Sequence, residues 1–336
     1  MKKVFLILLI ILLVTGCGKK EEMKTTKEIV ATMQDKIGEN AIWCGTFQLI
    51  WNDLKNEYIK KDVDIPGEIV ENLNKETFKE SDISDEYYYK KYGIATKELK
   101  SEIENALKEK FNQKSEILDD FNWQGDLFFY TMLYREFQFE KKFDVLSNND
   151  FNIYKDIKYF GISPKSDEQL GSQIKILSYE NDQNFIILLK TKTNDEIILY
   201  KNPNGNTFEE IYNNMNEKIA NYQGSTFFSS TDEFKMPMLD FNYKREYEEV
   251  ENQKFLDYKG DEYLIYKAIQ TIQFELNEKG GKIKSEAGMG VKYSAMPSTP
   301  KKLYLNDTFA IFLKEVSKEK PYFAAKITDI TKFNKK

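Results

Sequence analysis

The sequence has no histidine, only two cysteines and only two arginines among its 336 residues. Without histidine there is no Ser-His-Asp or Cys-His catalysis, no histidine-ligated zinc and no proton shuttle tuned near neutrality. With Arg135 and Arg245 as the only guanidinium forks, no basic stripe and a net charge of -6, a nucleic-acid partner has no support. A Gly-rich phosphate loop is also lacking, because Lys279-Gly280-Gly281-Lys282 does not have the Walker spacing. The longest apolar run, residues 4–14, is 11 residues long. A bilayer core needs about 20 residues in a helix, so this run does not span one.

What is present begins with that run. Met1-Lys2-Lys3 precedes it and Thr15-Gly16-Cys17 follows it, which reads as a secretory signal over residues 1–16. The ending Val14-Thr15-Gly16-Cys17 is similar to a bacterial lipobox, and that resemblance implies acylation of Cys17 as the mature N-terminus. Two or more acyl chains hold a protein stably on a membrane. The expected location is therefore the outer, extracytoplasmic face of the cell membrane, with the lipid bilayer as a partner and residues 17–26 as a polar linker. Acylation of Cys17 leaves Cys44 alone, which excludes an intrachain disulfide, and its apolar setting in Ala41-Ile42-Trp43 suits a buried structural thiol. Hydrophobic residues at 41% and charged residues at 31% mark an ordinary globular chain with room for a sizeable core.

Periodicity changes near residue 122. Before it the spacing is helical, with Leu99, Ile103, Leu107 and Phe111 at i+4 in residues 96–113, and with Phe47, Ile50, Trp51, Leu54 and Tyr58 marking another amphipathic helix. After it strands dominate: residues 127–139, 173–179, 233–243, 264–277, 308–315 and 322–327. Residues 185–189 and 196–200 read as a hairpin across Lys192-Thr193-Asn194-Asp195. Thr207-Phe208-Glu209-Glu210 has capping-box spacing and opens a helix to about Ala220. Helices first and strands later, with no internal repeat, predict an α+β fold in a single domain over residues 27–334. Tyr87-Tyr88-Tyr89 and Tyr92 read as a packing face. Asp62-Val63-Asp64-Ile65-Pro66-Gly67 begins like a calcium loop but has Pro66 fifth and Leu73 twelfth, so it reads as a turn before a helix near Glu68. Neither a metal nor a cofactor is expected.

Several segments, in order, resemble the serpin family. Phe274-Glu275-Leu276-Asn277-Glu278-Lys279-Gly280 is similar to the end of its long central strand and the start of its reactive-loop hinge, E-V-N-E-E-G. Leu133-Tyr134 through Phe143-Asp144 resembles its Y-F-K-x-x-W-x-x-x-F-D strand. Leu170-Gly171 with the strand to Tyr179, Phe234-Lys235-Met236 with Tyr247, and the C-terminal pair Phe309-Ala310-Ile311-Phe312-Leu313 and Phe323-Ala324-Ala325-Lys326-Ile327 extend the similarity over residues 126–331. The resemblance implies a large central sheet, an exposed reactive-type loop, and a protein that is not an enzyme but a protease inhibitor. It also departs from the family. The stretch before the Y-F-K strand is shorter, Cys44-Gly45 replaces a Ser-Pro, Phe139 replaces Trp, and the Asn and His beneath the sheet's opening fall at Thr131 and Gln270, which could share a hydrogen bond.

In such an inhibitor a protease cuts the loop, and the loop's N-terminal arm enters the sheet as a new strand. Beyond the hinge at Glu278 and Gly280, the alternate residues Gly281, Ile283, Ser285, Ala287 and Met289 are uncharged, while Lys282, Lys284 and Glu286 fall on the other face. That period-two pattern permits insertion. The scissile region is Tyr293, Ser294, Ala295, Met296 and Pro297, which suits a chymotrypsin-like, elastase-like or papain-like protease. The expected partner is thus a serine or cysteine protease. Two other readings stay open. One is a surface lipoprotein on the same scaffold that binds a partner or ligand without inhibition. The other is a carboxylate-pair hydrolase using Asp119, Asp120, Glu246, Glu248 or Glu249.

Overall fold

Segments with period-two burial form strands and those with a helical stripe form helices, and the computed structural model describes them over residues 23–280 and 299–334. The first half holds β1 (Lys24–Thr25), β2 (Ile29–Val30), β3 (Ala41–Cys44), α1 (Thr46–Asp53), α2 (Glu68–Asn74), β4 (Tyr88–Ile94), α3 (Lys97–Phe111) and β5 (Leu127–Leu133). Then come β6 (Asp144–Phe151), β7 (Tyr154–Ile162), β8 (Ile174–Asn181), β9 (Asn184–Lys190), β10 (Asp195–Lys201) and α4 (Phe208–Asn221). The last third holds β11 (Glu233–Pro237), β12 (Leu239–Glu246), β13 (Lys254–Leu256), β14 (Glu262–Leu264), β15 (Ile269–Leu276), β16 (Lys302–Tyr304), β17 (Phe309–Glu315) and β18 (Pro321–Ile327).

The main core lies on a seven-stranded sheet in the order β2-β3-β18-β17-β10-β9-β8. Its inner strands are continuous apolar runs because both faces are covered: Phe185 to Leu189 and Phe309 to Leu313 are buried throughout. The expected hairpin forms as β9 and β10, with Ile187 opposite Leu199, and the C-terminal pair forms as β17 and β18. Helix α4 packs Phe208, Ile211 and Met215 inward and is capped by Thr207, whose hydroxyl accepts from the Glu210 amide at 3.0 Å. The return bond to Glu210 comes from the amide of Asn206 at 2.7 Å rather than from Thr207, so the capping box closes one residue early.

The first half is less helical than its periodicity suggests. Tyr88, Tyr89 and Tyr92 belong to β4, which pairs antiparallel with β5 from Tyr88–Leu133 to Ile94–Leu127. The half-buried charges at Lys90 and Lys91 hide that alternation. Helix α1 ends at Asp53 and continues as a wider π turn over Leu54–Ile59, stopped by Lys60 at φ 56°. Helix α3 keeps the expected stripe, with Leu99, Ile103 and Leu107 buried and Thr96 capping at 3.2 Å. Lys24 and Thr25, inside the stretch read as linker, pair in parallel with Tyr243 and Lys244, because the edge of β12 offers main-chain partners that a polar sequence does not announce.

The α+β class holds, but the large central sheet expected from the resemblance is divided. One part is β1-β12-β15, the other β4-β5. The β4-β5 leaf carries a hydrophobic cluster of its own, in which Leu99, Ile103 and Leu107 of α3 meet Phe128 and Tyr130.

Candidate functional site: a cleft between two sheet leaves

Among the described residues β5 pairs only with β4, and β15 only with β12. The facing edges of β5 and β15 therefore have no strand neighbour, and they bound a cleft of about 1400 Å³. Phe129 and Thr131 line one side, Ile272 and Phe274 the other, and Phe47 and Trp51 of α1 the base. An open strand edge in an apolar setting is a template for another strand.

One end of the cleft is latched. The Phe139 amide donates to the Lys279 carbonyl at 3.2 Å and the Phe143 amide to the Glu278 carbonyl at 2.9 Å. Gln138 bridges Gly280, and its carbonyl accepts from Lys192 at 2.7 Å. Segment 134–139, read as a continuation of the strand, leaves the β5 ladder after Leu133 to make this latch. Glu278 faces Lys142 at 3.5 Å. Gly280 has φ 81°, and a Cβ there would lie 2.6 Å from both Gln138 Cα and the Phe139 nitrogen. Both β5 and β15 run toward this end, so the chain leaving Gly280 starts at the closed end of the cleft.

Sequence reasoning placed Glu278 and Gly280 at a hinge, and they sit on the latch. Gly281, Ile283, Ser285, Ala287, Tyr293, Ser294, Ala295, Met296, Pro297 and Cys17 lie outside the described residues. Gln138, Phe143, Lys192 and Tyr247 were not singled out as site residues, because their contributions come largely from main-chain groups or from a partner remote in sequence.

Thr131 and Gln270 line the cleft, but they do not bond each other. The Gln270 amide donates to the Cys44 carbonyl at 3.0 Å and to the Thr46 hydroxyl at 2.9 Å, and its oxygen accepts from the Tyr247 hydroxyl at 2.6 Å. Thr131 Oγ1 is buried with no hydrogen-bond partner among the described residues. The reason is reach: the end of β3 and the start of α1 each present an acceptor to β15, and Gln270 takes both. The lock thus ties β15 to the β3-α1 junction and makes no bond to Thr131 of β5. Burial pushes the Tyr247 phenol well above its ordinary value, so it stays a donor at neutral pH. Replacing Gln270 by Ala removes three hydrogen bonds and strands the Tyr247 hydroxyl, a loss of about 3 kcal/mol. Calorimetry should find the melting temperature roughly 6 °C lower, and a shift under about 1 °C would contradict the lock.

Cys44 forms part of the cleft lining, only 8% exposed, with its thiol pushed up by burial, which makes it a poor nucleophile. The carboxylates weighed for hydrolysis are engaged by cations. Asp119 meets Lys100 at 2.5 Å, Asp120 and Glu246 share Lys244, Glu249 meets Arg245 at 2.5 Å and Glu248 meets Lys27 at 3.7 Å. These are largely surface ion pairs.

No family model and no curated protein matches the sequence. Among solved structures, Serpin48, a highly specific serpin of the insect Tenebrio molitor, overlays with a TM-score of 0.50 at 9% identity, covering 86% of this chain and 92% of that one. Thyroxine-binding globulin in complex with thyroxine overlays at 0.43, with 11% identity and coverage of 68% and 64%. Human kallistatin overlays at 0.46, with 12% identity and coverage of 70% and 64%. The fold is serpin-like.

Proposed function

We propose that this chain is a membrane-anchored protease inhibitor that works by loop cleavage and strand insertion. The observation that carries the reading is the cleft: two open strand edges beside an apolar base, with the hinge glycine at its closed end. A strand folding back from Gly280 would run antiparallel to both β5 and β15 and form a ladder with each. The alternation Gly281, Ile283, Ser285, Ala287 gives that strand one uncharged face for the core. Insertion after cleavage would trap the protease as its acyl-enzyme, consuming one inhibitor per protease.

The anchor fits the same reading. Seven residue steps from Cys17 to Lys24 reach at most about 25 Å, and Lys24 pairs with the outer edge of β12. Acylation at Cys17 would hold that sheet edge close to the outer face of the membrane, where the inhibitor guards its own surface against serine or cysteine proteases.

The test is to mix the mature chain with chymotrypsin-like, elastase-like and papain-like proteases and to run denaturing gels. A covalent complex with at least one of them is expected. Unbroken turnover of the loop by all three would leave a scaffold that binds without inhibiting.

A further inference from the structure

Five of the large hydrophobic side chains exposed among the described residues gather at the open end of the cleft: Tyr92, Ile94, Leu256, Tyr258 and Leu264, each 38% to 53% exposed. Ile94 ends β4 opposite Leu127, where β5 begins, and the β13-β14 hairpin leads into the start of β15. Ring contacts join the two groups. Tyr92 stacks on Phe129 at 5.6 Å, Phe129 meets Tyr58 at 6.4 Å, and Tyr58 meets Tyr263 of the hairpin at 5.4 Å. Apolar residues scattered singly over a surface are ordinary, but a cluster at one pole marks a contact.

The hairpin breaks the alternation expected of a solvated strand pair. Phe255 and Tyr263 are partners on its inward face. Its outward face would ordinarily be polar, yet Leu256 and Leu264 lie there, opposite Glu262 and Lys254, which pair with each other at 2.6 Å. At the turn the Tyr258 ring stands between two ammonium groups, Lys60 at 5.5 Å and Lys259 at 5.4 Å from its centre. Asp257 is buried and accepts the amides of Lys259 at 2.7 Å and Asp261 at 3.0 Å. Leucines beside a tyrosine and lysines suit the interface of a bilayer, where the ring sits at headgroup level and the lysine stems lie along apolar surface with their charge in water.

The chain outside the described residues says what covers this pole. Cys17 lies seven residue steps before Lys24, a reach of at most about 25 Å. Lys24 pairs with Tyr243, three residues before β12 ends and the chain turns toward the hairpin. Those three residues span roughly 10 Å. An acyl group on Cys17 and the exposed pole can therefore meet one membrane surface.

We propose that the open end of the cleft is a membrane-docking face, with Leu256, Tyr258 and Leu264 entering the interface of the bilayer that holds Cys17. The proposal rests on the anchor reading and is independent of inhibition. It also sets an orientation. Strand β15 runs from Ile269 at this pole to Leu276 at the latch, roughly 25 Å. Docking thus holds the latch, and the chain leaving Gly280, on the side away from the membrane, toward proteases free in the surrounding medium rather than ones embedded in the same bilayer.

The test uses the acylated chain on vesicles of phosphatidylethanolamine and phosphatidylglycerol. An environment-sensitive dye is placed on Asp261→Cys at the hairpin tip and, as a control, on Glu140→Cys beside the latch; Cys44 is buried and stays unlabelled. Nitroxide-labelled lipid should quench the dye at position 261 strongly and at position 140 little. Combining Leu256→Ser, Tyr258→Ser and Leu264→Ser should lower the ratio of docked to undocked chains roughly a hundredfold. The melting temperature in solution should be nearly unchanged, because all three are surface positions. Equal quenching at both positions, on vesicles that carry the chain, would overturn docking and leave the anchor standing. A chain that does not float with the vesicles would overturn both. A dye at position 261 whose emission shifts without vesicles, as the protein is concentrated, would put a second copy on the pole and overturn the lipid as its occupant.

Discussion

Cutting the intact chain within residues 292–297 is expected to raise its melting temperature by roughly 15 °C. The argument starts from the two open edges of β5 and β15, whose facing sides have no strand neighbour among the described residues. A strand of about eight residues between them makes about 16 backbone hydrogen bonds, each worth about 1 kcal/mol net. Ordering those residues costs about 1 kcal/mol each. The difference, about 8 kcal/mol, corresponds to roughly 2 °C per kcal/mol for a chain of this size. Uncut, the same segment is tied at both its ends, by Gly280 at the latch and by β16 on β11. Cleavage frees one end and lets the edges be filled. Differential scanning calorimetry of cut and uncut protein reads the shift, and equal melting temperatures would mean that the edges stay empty.

Gly280→Val should have the second largest effect, with the opposite sign. At φ 81° a β-branched residue is strained, and its Cβ would meet Gln138 Cα and the Phe139 nitrogen at 2.6 Å. The backbone at the latch has to move. With it go the bonds from Phe139 to Lys279 and from Phe143 to Glu278. A loss of about 3 kcal/mol or more is expected, seen as a fall in melting temperature of roughly 6 °C. Amide exchange at Phe139 and Phe143 should become fast at the same time. A wild-type melting temperature with protected amides at both positions would show that Gly280 does not hold the cleft shut.

The sequence announced some of this and concealed the rest for physical reasons. Apolar runs on strands covered on both faces are loud signals, so β9, β10, β17 and β18 were legible, as was the one-sided stripe of α3. Strand β4 was not, because Lys90 and Lys91 interrupt its tyrosines, and Lys90 is there to reach Asp53 on α1 at 2.5 Å. Glu278 and Gly280 were singled out, as an expected hinge, from the order of residues around them. The latch was not, since it is built from the carbonyls of Lys279 and Glu278 and the amides of Phe139 and Phe143, which any side chains could have supplied. Gln270 shows the same limit. Its place beside the cleft was foreseen, but its bonds to Cys44 and Thr46 depend on how close α1 stands to β15.

The central claim is that a cut loop enters the cleft before the attacking protease can leave. Its most direct measurement is the number of mature molecules consumed per protease inactivated, titrated against a chymotrypsin-like enzyme and read on denaturing gels beside residual activity. The account predicts a ratio near one to a few, with the protease held in a band that survives denaturation. A protease that cuts every molecule, regains full activity and leaves no such band would contradict it.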